Sequence, residues 1–126
     1  MSAVCRHFFP EWGTKLLCPL GMATAPMDTI MLTTNGCGRA GIEEKLVPDT
    51  IWGLDISPVC RVHDWMYSDA DTLDDEEFAD GVFAANLVAY IRQKSANRFM
   101  AALRLHRAYL YIDAVALTDL VEDGAT

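Results

Sequence analysis

Apolar residues recur at helical spacing in three stretches of the chain, all from residue 57 onward. The first, residues 57–67 (SPVCRVHDWMY), opens on Ser57, a residue type that caps helices, and Pro58, whose missing N–H costs nothing in a first turn. A helix is therefore predicted from Ser57. Cys60, His63 and Tyr67 fall at i, i+3 and i+7 on one face, and Asp64 lies about 100° further round, aimed at a different neighbour. A second helix is predicted over 74–94, with acidic residues 74–77 suited to its N-terminal dipole and a stripe of Phe83, Ala84, Leu87, Val88 and Ile91. Asp80 lies on that stripe. A carboxylate on an apolar face is costly unless it meets a donor or a cation, so Asp80 calls for a partner inside the domain. A third helix is predicted over 95–121, capped by Ser95, with Phe99, Leu103, Leu110 and Val115 as packing positions and Arg98, Arg104 and Arg107 on the other side.

The first half is less periodic. Residues 1–34 are apolar but broken by Pro19, Gly21 and Pro26, with Phe8, Phe9 and Trp12 clustered early. They read as a wandering segment that covers the core, the alternative being an apolar rim around a lipid-facing entrance. Residues 35–41 (NGCGRAG) place Gly36, Gly38 and Gly41 close together, which marks a loop able to array backbone carbonyls and N–H groups. No Gly-Lys-Ser/Thr ending follows, which argues against a phosphate cradle and leaves a simple turn or a ligand loop. Residues 48–53 read as an extended connection to the first helix. His106 reads as a surface or structural residue, and the tail from 121 as frayed.

At 126 residues and 52% hydrophobic content, the chain has the size of one domain with a real core, 1–126. A net charge of −8 argues against nonspecific nucleic-acid binding and against attraction to anionic membrane surfaces. No apolar run is long enough for a transmembrane segment. The opening residues lack the cationic start and helical apolar core of a secretory signal, so localisation is left open between secretion, delivery by another route and the cytoplasm. Four cysteines, Cys5, Cys18, Cys37 and Cys60, allow two disulfides in three connectivities or four reduced thiols.

These residue types suggest a division of labour. His63 becomes an oriented general base if a carboxylate holds its other ring nitrogen, and Asp80 on an antiparallel second helix is the candidate. Asp64 could join carbonyls of the Gly36–Gly41 loop around a hard cation such as Ca²⁺, which takes oxygen ligands. A serine nucleophile is disfavoured by the lack of a G-x-S-x-G motif. Zinc held by Cys37, Cys60 and His63 is disfavoured by the lack of a Cys-x-x-Cys pair. An inert helix, with His63 bonded to a buried acid and Cys60 in the core, is the alternative.

The set C-x-x-H-D-x-x-x-Y, here Cys60, His63, Asp64 and Tyr67, preceded by G-C-G-x-x-G at Gly36 to Gly41, resembles the small phospholipase A2 superfamily. Ala79-Asp80-Gly-Val-Phe83 looks like the second helix of its prokaryotic and viral members, and the absence of a cysteine just before Tyr67 points to the compact bacterial, fungal or phage type. The resemblance covers about residues 35–91. It implies a mainly α fold: two antiparallel helices carrying the site, a Gly-rich calcium loop and further packing helices. It implies Ca²⁺ held by Asp64 and by backbone carbonyls of Gly36, Gly38 and Ala40, although Ala40 stands where many members have glycine. It also implies a Cys37–Cys60 disulfide, His63 activating water, Asp80 orienting His63, Tyr67 bonding to Asp80, and the Gly38 N–H helping to hold the oxyanion. The activity so implied is hydrolysis of the sn-2 ester of glycerophospholipids at a membrane or micelle surface. The alternative is a catalytically weak or inactive phospholipase-like structural or binding module within a larger assembly.

Overall fold

The computed structural model describes residues 3–35 and 50–122, with backbone alone from 117 onward. The chain forms a hairpin of β1 (Val4–Phe9) and β2 (Thr14–Pro19), two short helices α1 (Leu20–Ala23) and α2 (Met27–Thr33), and a second hairpin of β3 (Thr50–Ile51) and β4 (Leu54–Asp55). Three long helices follow, α3 (Ser57–Ser68), α4 (Leu73–Lys94) and α5 (Arg98–Glu122), so the protein is mainly α. α4 is the central element. α3 and α5 pack on it, and β2 lies against a further part of its surface.

α3 begins where the sequence places it, but the cap differs. Asp55 supplies the carboxylate that accepts the Ser57 N–H at 2.9 Å, and the Ser57 side chain caps nothing. Pro58 does occupy the first turn. Val59, Val62 and Met66 are the stripe of α3 that enters the core, with Cys60 beside them. His63 therefore sits on the flank of the packed face, next to the core without being sealed in it. α4 is capped by Thr72, whose hydroxyl accepts the Asp75 N–H at 3.1 Å, and its first turn carries Asp74, Asp75 and Glu76 against the positive end of the helix dipole. It buries Ala79, Val82, Phe83, Leu87 and Ile91 toward its neighbours.

The third helix departs from its sequence reading. Ser95 ends α4, and Asn97 starts α5, accepting the Met100 N–H on its side chain at 2.8 Å and the Ala101 N–H on its carbonyl at 3.0 Å. The packed stripe is Ala101, Leu105, Ala108 and Ile112, whereas Phe99 and Leu110 stand 73% and 56% exposed. Arg104 turns inward to Ser95 Oγ and the Trp52 carbonyl, both at 3.0 Å. Spacing alone could not choose the inner face, because apolar residues lie on both sides of this helix. Exposed His106 agrees with its sequence reading.

Residues 3–34 are more ordered than a wandering cover. β1 and β2 pair antiparallel through a turn in which Gly13 has φ +60, a conformation that favours glycine, and a Cβ there would meet Lys94 Nζ at 3.2 Å. Phe9, Leu16, Cys18, Met22 and Ile30 from this part enter the core. Of the stretch 48–53, expected to be an extended connection, residues 50–53 are described and instead belong to a tight hairpin, Thr50 opposite Asp55 and Ile51 opposite Leu54. Its two turn residues, Trp52 and Gly53, have φ 45 and 78, as a two-residue reversal of this hand requires. Trp52 accepts a backbone conformation unfavourable to a bulky residue while Arg107 lies over its ring at 6.0 Å.

α4 also reads the strand beside it. Asn86, 1% exposed, accepts the Leu17 N–H at 2.7 Å and donates to the Leu17 carbonyl at 2.8 Å. Two turns later Gln93 accepts the Lys15 N–H and donates to the Lys15 carbonyl, each at 3.1 Å, and accepts the Thr14 hydroxyl at 2.7 Å. Two amides at i and i+7 thus complete the outer edge of β2 as a neighbouring strand would, which leaves that edge closed to other strands. Lys94 caps the turn through the carbonyls of Trp12 and Gly13 at 2.9 and 3.0 Å.

Candidate active site

α3 and α4 bring together the two residues the sequence could only place on separate helices. His63 Nε2 lies 2.7 Å from Asp80 Oδ1, and both side chains are close to five-sixths buried, at 17% and 15% exposure. An ionised carboxylate only accepts, so this contact fixes the proton on Nε2 and leaves the Nδ1 lone pair free to act as a base. The ring has two aromatic neighbours. Tyr67, one helical turn on, lies with its ring centroid 5.5 Å from the imidazole at 32°, and Phe83 of α4 lies at 5.3 Å and 62°. Asp80 and Phe83, three residues apart on α4, together set both the tautomer and the tilt of the imidazole.

Asp64 faces another way, as its place about 100° round the helix requires. Its Oδ2 accepts the backbone N–H of Asn35 at 2.8 Å. Arg61, one turn earlier, donates from Nη1 to the Thr34 carbonyl at 2.6 Å and to the Thr34 hydroxyl at 3.1 Å. Two side chains of α3 therefore hold the chain at Thr34 and Asn35, directly before the glycine-rich stretch. Arg61 was not among the residues singled out in the sequence, although its i, i+3 spacing to Asp64 places the two on one face. Gly36, Gly38 and Ala40 lie outside the described residues, as does Cys37.

Cys60 is disulfide-bonded, to a partner outside the described residues. Its sulfur is consequently unavailable to a zinc ion. Cys5 and Cys18 are free thiols. Tyr90 ties the base of α3 to α4, its hydroxyl donating to the Asp55 carbonyl at 2.7 Å; burial, and then the nearby Asp55 charge, push the Tyr90 phenol above its ordinary range.

Around the site the surface is apolar in places. On α2, Met31 is exposed and Leu32 is 86% exposed, on the helix whose C-terminal end Arg61 holds. Among the described residues no helix is long and apolar enough to cross a membrane. Comparison of the chain with known family models, curated proteins and solved structures found no match.

Proposed function

We propose that the protein is a calcium-dependent, phospholipase A2-like hydrolase that cleaves the sn-2 ester of glycerophospholipids with a histidine-activated water. The observation that carries this reading is the 2.7 Å contact between His63 Nε2 and Asp80 Oδ1, which joins a histidine on one helix to a carboxylate on the next. In this reading Asp80 holds the Nε2 proton, Nδ1 takes a proton from water as that water attacks the ester carbonyl, and the imidazolium so formed is stabilised by Asp80. His63 then returns the proton to the departing alkoxide. No covalent acyl-enzyme forms. Tyr67 and Phe83 keep the imidazole from rotating away from the water.

Asp64 fits the part of a calcium ligand: it is a half-buried carboxylate, and the one hydrogen bond described for it ties it to the start of the glycine-rich stretch. The carbonyls of Gly36, Gly38 and Ala40 would complete the oxygen set. A bound Ca²⁺ would supply positive charge to the ester oxygen, where the Gly38 N–H would also donate. The Cys37–Cys60 disulfide would fasten this stretch to α3. Exposed Met31 and Leu32 suit a lipid surface as the place where substrate is met.

The test is hydrolysis of phosphatidylcholine micelles, followed as fatty-acid release. Release that requires millimolar Ca²⁺, stops with a chelator and is abolished in His63→Gln is the expected result. Ca²⁺ should also raise the melting temperature, as a ligand of the native state must. Absence of turnover together with no effect of Ca²⁺ on melting would overturn the proposal.

A further inference from the structure

Cys5 and Cys18 are register partners, directly opposite each other in the β1–β2 hairpin. Both are free thiols, Cys18 wholly buried and Cys5 half-buried. They lie at the open end of the hairpin, one pair from its last, Val4 with Pro19. The kind of pairing follows from the other edge of β2. Asn86 takes both the N–H and the carbonyl of Leu17, so those groups point toward α4 and away from β1. Gln93 does the same at Lys15. Pairing alternates along an antiparallel ladder, so Leu17 with Arg6 is a pair without mutual backbone bonds, and Cys18 with Cys5 is one that exchanges both. Such a pair has its Cα atoms about 5.5 Å apart, inside the span a disulfide can bridge, but with side chains further apart than in the alternate pair.

We infer that Cys5 and Cys18 form an oxidation site, at which a small-molecule disulfide of the glutathione type makes a cross-strand disulfide that the corresponding thiol readily reopens. Cys5 is the entry point because it alone of the two reaches solvent. Its thiolate attacks one sulfur of the oxidant, one thiol leaves carrying the proton, and Cys5 is held as a mixed disulfide. Cys18 then gives up its proton and attacks the Cys5 sulfur, releasing the second thiol. The oxidant is reduced to two thiols and the protein loses two hydrogens. Burial, and then the neighbouring Cys5, push the Cys18 thiol up to about 12, so Cys18 waits as a protonated neighbour of Cys5. Bridging across backbone bonds that must stay in place strains the product, and strained disulfides are the easily reduced ones. The Cys60 disulfide is outside this cycle, and the inference does not depend on the lipid reading.

The experiment equilibrates the folded protein, its Cys60 disulfide intact, with graded ratios of oxidised to reduced glutathione. Samples are quenched with an alkylating reagent, cut with trypsin and weighed. Arg6 and Lys15 both lie between the two cysteines, and the Cys18 peptide, residues 16–39, also carries Cys37, so a cross-strand bond is read as the peptide of Cys5, residues 1–6, newly joined to that of Cys18. The expected result is a joined Cys5–Cys18 pair that grows with oxidised glutathione and is lost again at ratios where Cys60 is still protected from alkylation. Cys18→Ala should stop at the Cys5–glutathione adduct. Cys5→Ser, a change at the half-exposed position that spares the core, should leave Cys18 without adduct or link. No joining of the Cys5 peptide to that of Cys18 at any ratio, a wild type that stops at the Cys5 adduct, or a link that opens only where Cys60 is also released would each overturn the inference.

Discussion

The two halves of α4 each place a buried or nearly buried polar side chain against another element, and they do so for different ends. In the first half Asp80 meets His63 and leaves a ring nitrogen of the imidazole unused. In the second half Asn86 spends both ends of its amide on one residue of β2, and Gln93 does so again two residues along the strand. Asn86 satisfies a strand edge and has no capacity left over. Asp80 makes a contact that leaves reactivity in its partner. Burial of a polar side chain is no sign of a site until its partner's remaining valence is counted.

Asp80→Asn keeps a hydrogen-bonding group of the same shape, so folding should survive, but the amide can hold the imidazole in the wrong tautomer. Hydrolysis of phosphatidylcholine micelles should fall about 10²–10⁴-fold while urea midpoints barely move. A variant that loses stability and keeps its rate would put Asp80 in the same class as Asn86.

Asn86→Ala should show the opposite profile. It strands the N–H and carbonyl of Leu17 in a buried place, at about 1–3 kcal/mol for each group, so urea unfolding should show a loss of about 3 kcal/mol or more. Measured below its lowered melting temperature, the rate of hydrolysis should stay within a few-fold of wild type. Gln93→Ala probes the same edge where it meets solvent, and water can take over its bonds. A loss of about 0.5–1 kcal/mol is expected from the same urea titration.

A change of similar size, but dependent on pH, concerns Tyr90, which belongs to neither half's polar pair but locks α4 to the start of α3 through the Asp55 carbonyl. Tyr90→Phe should cost about 1 kcal/mol near neutral pH. Its folded-state pKa is raised, chiefly by burial, so the neutral phenol is the form that folding favours. The contribution is whole below the ordinary tyrosine value near 10 and is lost as pH rises through the raised one. Denaturant melts at rising alkaline pH should therefore show a steeper decline in wild type than in Tyr90→Phe.

Much of the candidate site was legible because its residues are local. Cys60, His63, Asp64 and Tyr67 share one short helix, and the odd position of Asp80 on an apolar stripe called for a partner. Arg61 escaped notice because a lone arginine on a helix usually faces water, and only the fold brings Thr34 beneath it. The faces of α5 were misjudged for a related reason. Phe99 and Leu110 look like packing residues at helical spacing, yet α4 takes the opposite stripe, and the Arg104 guanidinium reaches inward to Ser95 and Trp52. The N-terminal hairpin was missed because its register depends on amides some seventy to eighty residues away.

The sequence by itself determined where the three long helices run and which residue types could do acid–base chemistry, since helical periodicity and capping act within a few residues. Only the tertiary structure decided that Asp80 is His63's partner, that Asp64 and Arg61 hold residues 34 and 35, and that Cys5 stands opposite Cys18. Those are contacts between elements far apart in the chain. Their geometry comes from how the helices and strands share one core, which no local pattern specifies.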